Sequence, residues 1–346
     1  MAKRRSSADD FVRDAGPDAR VLAGQNVELR AENARLSKVL GLVEAYRAKA
    51  GDPPAWLRPK RKPRAGQATA VMQLSDLHLD ELVNPSEMNG LNAYSREIAE
   101  LRLKRWADKA CDMGDRFRHE WDGALVILGG DMVSGAIHDE LRETNEDVLP
   151  GTLRHWAPRL AAALRQVADF YGRLHLPAIV GNHGRLTVKM QAKRRALNSW
   201  DGLLYTMIQM HLAGDERITW DVAGGSLLYV PVYGRHIGVT HGDEVGGGGG
   251  WVGIFSPLGT IHRRLLEIAP PGVRMSYAAV HHWHQLVQAH SRGFALNGSL
   301  KGFDEYALAL RFRPEQAQQS WAVETPEHGV TLAGPLLVED RKREGW

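Results

Sequence analysis

The chain has a single cysteine, Cys111, among 346 residues. One thiol excludes an intrachain disulfide and any zinc cluster built on several thiolates. Such scarcity fits a reducing compartment, so a cytoplasmic location is expected. Long apolar runs are missing too. None approaches the roughly 20 residues needed to cross a bilayer, and no membrane partner is expected. The start, residues 1–10, is basic and then acidic without an apolar stretch, so no secretory leader is read there. Charge of one sign is also lacking: 44 Lys and Arg stand against 41 Asp and Glu, a net +3. That excess is too small to define a nucleic-acid partner by charge alone. What is present is an ordinary globular mixture, 43% hydrophobic and 25% charged, long enough for one large domain or two.

Three textures follow one another. In residues 1–50, Leu22, Leu29, Leu36 and Val43 recur every seven positions, with Ala19, Asn26, Asn33 and Leu40 as companions. This predicts either a short coiled coil that makes a homodimer through residues 19–47 or a single amphipathic helix docked on the main domain. Residues 51–68 carry Pro53, Pro54, Pro59 and Pro63 among Arg58, Lys60, Arg61, Lys62 and Arg64. Proline at this density predicts a stiff, solvated linker. Residues 69–338 alternate β-branched apolar runs with helical patterns. Strands are expected at 70–74, 124–128, 177–180 and 277–280, with helices at 96–121 and 153–174. A hairpin over 226–233 and 236–240 should turn at Gly234-Arg235. Residues 322–338 should complete a sheet, and the tail, 339–346, should fray. The β-α-β-α-β opening predicts a layered α/β fold.

Each apolar strand runs straight into acid, amide or histidine. The clusters are Asp76-Leu77-His78, Gly130-Asp131, Gly181-Asn182-His183, His241-Gly242-Asp243 and His282-Trp283-His284. Ligands of α/β sheets bind beyond the carboxyl ends of strands, so five such clusters should converge. Carboxylate, imidazole and amide oxygen without thiolate suit Mn²⁺, Fe²⁺ or Zn²⁺. Seven ligands are too many for one tetrahedral ion and suit two ions sharing a carboxylate. Such a pair clamps the attacking and leaving oxygens of an in-line displacement and lowers the pKa of a bound water, so that metal-bound hydroxide can attack.

In their order, these clusters resemble the calcineurin-like metallophosphoesterases, and within them the Mre11/SbcD-like nucleases and related phage-type phosphoesterases. The resemblance spans about residues 71–299. It implies a four-layer α/β/β/α sandwich and two divalent ions, Mn²⁺ first, with Fe²⁺, Zn²⁺ or Mg²⁺ as alternatives. It implies that Asp76, His78 and His284 hold one ion, that Asn182, His241 and His282 hold the other, and that Asp131 bridges them. His183 would assist the leaving oxygen. SbcD-like relatives also work with a partner ATPase. Two positions depart from the pattern. Gly184 stands where an acid usually follows the catalytic histidine, so another residue must orient His183. Arg185 beside it has the geometry to meet a phosphate oxygen. His281 stands where glycine is usual, which would shift His282 or His284 if that position requires positive φ.

The expected activity is hydrolysis of nucleic-acid phosphodiester bonds. The alternatives are a phosphatase or phosphodiesterase acting on small phosphoesters or phosphoproteins, and a non-catalytic oligomeric DNA-binding protein. Arg185, Lys189 and Lys193 are spaced by four, with Arg194 and Arg195 following. If helical, they form a basic stripe, read first as a solvated face and second as a track for a phosphate backbone. Gly246 to Gly250 are consecutive glycines without the Lys-Ser or Lys-Thr of a P-loop. Phe255 is expected in the core. Trp251 and Trp283 are candidates for base stacking. His138, Glu140 and Glu143 are candidates to line the mouth, and Asn297-Gly298-Ser299 to approach the site.

Overall fold

A computed structural model of the chain describes Gly24, Asn26, Val27, Arg30 and residues 53–59, 62–137, 139–246 and 253–346. The chain divides into two units, Met1–Ala48 and Lys49–Trp346. In the first, the four described residues are helical and exposed. The heptad positions other than Asn26 lie outside the described residues, as do His138, Trp251 and four of the five consecutive glycines.

The second unit is mixed α/β, with two mixed sheets and helices. The larger sheet has the order β11-β10-β1-β2-β3-β4. Its members are β1 (Gln67–Leu74), β2 (Glu120–Leu128), β3 (Leu174–Ala178), β4 (Ile218–Val222), β10 (Gln318–Thr325) and β11 (Gly329–Leu337). β1 to β4 are parallel neighbours, and β10 and β11 add antiparallel pairs at the β1 edge. The smaller sheet has the order β5-β6-β7-β9-β8. It comprises β5 (Leu227–Val232), β6 (Arg235–Thr240), β7 (Met275–Val280), β8 (Val287–Ala289) and β9 (Phe294–Leu296).

Three apolar clusters hold these elements. Alternate residues of β1 and β2 (Ala70, Met72, Leu74, Ala124, Val126, Leu128) face helices Arg96–Arg116 and Leu149–Tyr171 through Trp106, Trp156 and Leu160. The other face of the same strands presents Val71, Leu125 and Ile127 to Val239, Tyr277 and Ala279 of the second sheet. Ala278 and Val280 of β7 point away from that core, toward Leu258 and Ile261 of helix Phe255–Glu267. The period of two in β1, β2 and β7 thus sorts side chains between cores.

Several local expectations are corrected. The helix expected to reach 121 ends at Arg116, and Trp121 lies in β2. The β5–β6 hairpin turns at Tyr233-Gly234, with φ of 51° and 82°. Positive φ at both central residues suits the twist of a two-residue hairpin. Phe255 opens its helix and is largely exposed rather than in the core. Within the proline-rich stretch, Trp56 and Leu57 are buried in the inter-sheet core, and the Leu57 carbonyl accepts from the Tyr233 amide.

The tail does not fray. Residues Arg341–Glu344 form a helical turn, and the Glu344 carboxylate accepts from Arg102, whose guanidinium is wholly buried. Arg102 also donates to the carbonyls of Leu300, Lys301 and Ala93 and to Asn92. A buried guanidinium requires a carboxylate, and the tail supplies it. Replacing Glu344 by Ala leaves that charge unpaired and is expected to cost about 3–5 kcal/mol, read from urea unfolding midpoints. A loss below about 1 kcal/mol would mean the pair is solvated.

Among the described residues, no helix is long and apolar enough to cross a membrane.

Candidate metal centre

The five clusters leave the carboxyl ends of β1, β2, β3, β6 and β7 and meet. The ligand atoms of Asp76, His78 and His284 lie within 4.8 Å of one another, as do those of Asp131, His241 and His282. A third group of this kind joins His78, Asp131 and His183. Asp131 therefore stands between the two histidine pairs. Asn182 completes the second group, its Oδ1 lying 3.2 Å from His241 Nε2.

The backbone is strained where it turns into the centre. Asp76, His78, Asp131, His282 and His284 all have positive φ, between 47° and 82°. Side chains with a β-carbon rarely adopt this region, at a cost of about 1–3 kcal/mol each, and such residues gather at functional sites. The strain falls on His282 and His284, not on His281, which is not among the positive-φ residues. The departure at 281 therefore leaves both neighbouring histidines in the centre. The His281 ring lies over Gly129, where an added Cβ would come within 2.2 Å of it. Its Nδ1 meets Ser75 Oγ at 2.8 Å. Ser75 in turn accepts from Asn297 and donates to Asp76 Oδ2, so one hydroxyl fixes the carboxylate from behind. Ser299 Oγ donates to the Asp76 carbonyl, which puts the Asn297-Gly298-Ser299 turn against the site as expected.

The histidine tautomers follow from their partners. His241 Nδ1 donates to the Gly129 carbonyl (2.8 Å), which leaves Nε2 facing Asp131 Oδ2 (3.0 Å) and Asn182 Oδ1. His183 Nδ1 donates to the Ser134 carbonyl (2.9 Å), so that carbonyl orients the imidazole. His78 turns Nδ1 to Glu81 Oε2 at 3.1 Å and Nε2 to His284 Nε2, also at 3.1 Å. The Glu81 contact is an electrostatic one, close but without hydrogen-bond geometry.

Candidate ligand atoms thus face one another at three places: His78 with His284, His284 with Asp76, and His241 with Asp131 and Asn182. Such a set is repulsive unless a cation or a proton lies between its members. The titration shifts record the same conflict. Burial pushes Asp76 up to about 7. Burial alone would lower His241, but Asp131 and its hydrogen bond raise it to about 10. Burial pulls His78 and His282 down to about 4 and keeps them neutral, as metal ligands must be. The donor set fits divalent ions of borderline hardness.

Sequence reasoning missed the groups behind the ligands. Glu81 is buried and accepts from Lys301 Nζ (2.8 Å) and from Ser134. Burial would raise its pKa, but Lys301 and His78 hold it well below the carboxylate range. This is a carboxylate–histidine arrangement behind a candidate ligand. Glu81→Gln is expected to weaken Mn²⁺ binding about 10–100-fold, measured by titration calorimetry; an unchanged affinity would remove Glu81 from the centre.

Arg185 does not join the ligand groups. It donates to the carbonyls of Asn182 and Thr187 and so braces the loop that carries Asn182. The basic stripe is not helical: residues 185–199 form turns and bridges before helix Trp200–Leu212 begins. Arg195 is buried and pairs with Asp243, while Lys189, Lys193 and Arg194 are exposed. Glu140 and Glu143 are exposed on their short helix. The half-buried Trp283 ring packs on Gly242, and a Cβ there would meet it at 2.8 Å.

No protein-family model and no curated protein matches this chain.

Proposed function

We propose that the chain is a two-metal-dependent phosphoesterase of the calcineurin-like type, most specifically a phosphodiesterase that hydrolyses nucleic-acid phosphodiester bonds. The observation that carries this reading is the position of Asp131, whose carboxylate lies within 4.8 Å of His241 and His282 on one side and of His78 and His183 on the other. The resemblance in sequence agrees with that arrangement. Helices, sheet, sheet and helix separated by three apolar clusters support the four-layer α/β/β/α reading.

Asp76, His78 and His284 would hold one ion, Asn182, His241 and His282 the other, with Asp131 between them. Bound there, two divalent ions would supply Lewis acidity toward phosphoryl oxygens and a water acidified enough to attack near neutral pH. The protein's own part is orientation. Ser134 holds His183 by Nδ1, and His183 sits 4.4 Å from the His78 ring between centroids. A proton on its Nε2 would pass to the leaving oxygen. Arg185 braces the Asn182 loop through the Asn182 and Thr187 carbonyls, and its charge beside that loop would also meet a phosphate oxygen.

The test is a substrate panel with Mn²⁺: single- and double-stranded DNA, bis-p-nitrophenyl phosphate and p-nitrophenyl phosphate. Cleavage of DNA and of the diester supports the reading. Cleavage of the monoester alone favours a phosphatase and sinks the nuclease assignment.

A further inference from the structure

Asp201 is a fully buried acid that the reaction described above does not use. It lies in the first turn of helix Trp200–Leu212, behind the N-cap Ser199, whose Oγ accepts from the Asp201 amide. Its carboxylate faces four backbone N–H groups. Oδ2 accepts from Asp131 (3.0 Å) and from Gly181 (3.0 Å). Oδ1 accepts from Met132 (3.1 Å) and more weakly from Val133 (3.4 Å). A carboxylate has about four lone-pair sites, and all four are occupied here. The two oxygens therefore tie the loop after β2 to the loop after β3. The first loop carries Asp131, whose carbonyl also accepts from Leu77 and His78, and whose Oδ1 accepts from His183. The second carries Asn182.

Gly184 explains how this acid fits. A Cβ on residue 184 would stand 2.9 Å from Asp201 Cγ and Oδ1 and 3.0 Å from Ser199 Oγ. One further carbon–carbon bond, about 1.5 Å, would carry a carboxyl carbon at 184 into the space that the Asp201 carboxyl fills. The two positions compete for one carboxylate site.

We propose that Asp201 is a positioning residue: its carboxylate clamps the two ligand-bearing loops and so sets the distance between Asp131 and Asn182. This rests on the two-metal reading for its consequence, but the clamp itself can be read without metal. An amide at 201 would serve poorly, because its NH₂ end would face N–H donors.

The experiment compares the full chain with Asp201→Asn, Asp201→Ala, Gly184→Asp and the double variant Gly184→Asp/Asp201→Ala. Amide hydrogen exchange is followed at Asp131, Met132, Val133 and Gly181, and Mn²⁺ alone is titrated into each protein. Exchange at these four amides should speed at least about ten-fold in both single Asp201 variants, with β7 amides unchanged. Mn²⁺ affinity should fall about 10–100-fold. The double variant should recover both, because it returns a carboxylate to the site. Gly184→Asp alone should melt at a lower temperature, since two acids then share one space. Unchanged exchange in Asp201→Ala overturns the clamp, as does a loss that the double variant does not restore. Failure of both Asp201→Asn and the double variant to fold also overturns it, since the acid would then serve the whole scaffold. If the parent protein takes up no Mn²⁺, the two-metal reading falls, and the exchange pattern still decides the clamp.

Discussion

Asp131→Asn is expected to lower Mn²⁺-dependent hydrolysis of a phosphodiester by on the order of 10³-fold, the upper end of what one electrostatic group contributes to catalysis. The substitution is nearly isosteric. The amide oxygen can still accept from the His183 N–H, and the backbone N–H of residue 131 remains on Asp201. What disappears is the negative charge of a carboxylate whose Oδ2 faces His241 at 3.0 Å and which also groups with His78. Activity should therefore collapse while the circular dichroism spectrum changes little. Steady-state rates on bis-p-nitrophenyl phosphate measure this. A loss smaller than about ten-fold would remove Asp131 from the bridging position.

The second large effect is on stability, and its direction depends on pH. In metal-free protein, His241 is raised from 6.5 to about 10, chiefly by Asp131 against an opposing burial effect. The stability this proton contributes is complete below pH 6.5 and is lost as pH rises through about 10. Asp76, raised by burial to about 7, has already lost its contribution when pH passes that value. The metal-free protein should thus melt lower at pH 9 than at pH 7. Divalent ions would replace those protons, so their binding should tighten with pH. An ion at 100 times its dissociation constant adds about 2.7 kcal/mol per site. Thermal melts at pH 7 and 9, with chelator and with Mn²⁺, should show a rise on metal addition that is larger at pH 9. A rise that shrinks with pH, or none at all, would contradict the account.

The strand-end clusters were legible because their chemistry is local. An apolar strand that ends abruptly in Asp, Asn or His places that side chain beyond the sheet edge whatever the rest of the chain does. The groups behind them were not legible. Lys301 reaches Glu81 from 220 positions away, and neither residue has a pattern that sets it apart from surface charge. Asp201 looks like any acid in the first turn of a helix, where it would ordinarily serve the helix dipole. Its actual partners are two loops that only the fold brings to it. The missing acid at 184 was visible, but its physical cause was not: the space was already taken.

The misreadings have the same origin. Arg185, Lys189 and Lys193 have helical spacing, but no apolar stripe accompanies them, and spacing without a buried face does not make a helix. Arg195 belongs to the same run and is held by Asp243 instead of solvent. The tail reads as frayed in sequence because its partner, Arg102, sits on a helix 242 positions earlier and reads there as an ordinary amphipathic residue. Residue type alone puts Phe255 in the core, while its place at the opening of a surface helix leaves it exposed.

Asp76, His78, Asp131, Asn182, His241, His282 and His284 are proposed to form a two-ion centre. The most direct measurement is the number of Mn²⁺ ions bound per chain, counted by titrating chelator-treated protein and by elemental analysis of the product. The account predicts two ions per wild-type chain and a loss of at least one in Asp131→Asn. A wild-type chain that binds no ion, or a count of two that survives the loss of Asp131, His78 and His241 together, would contradict it.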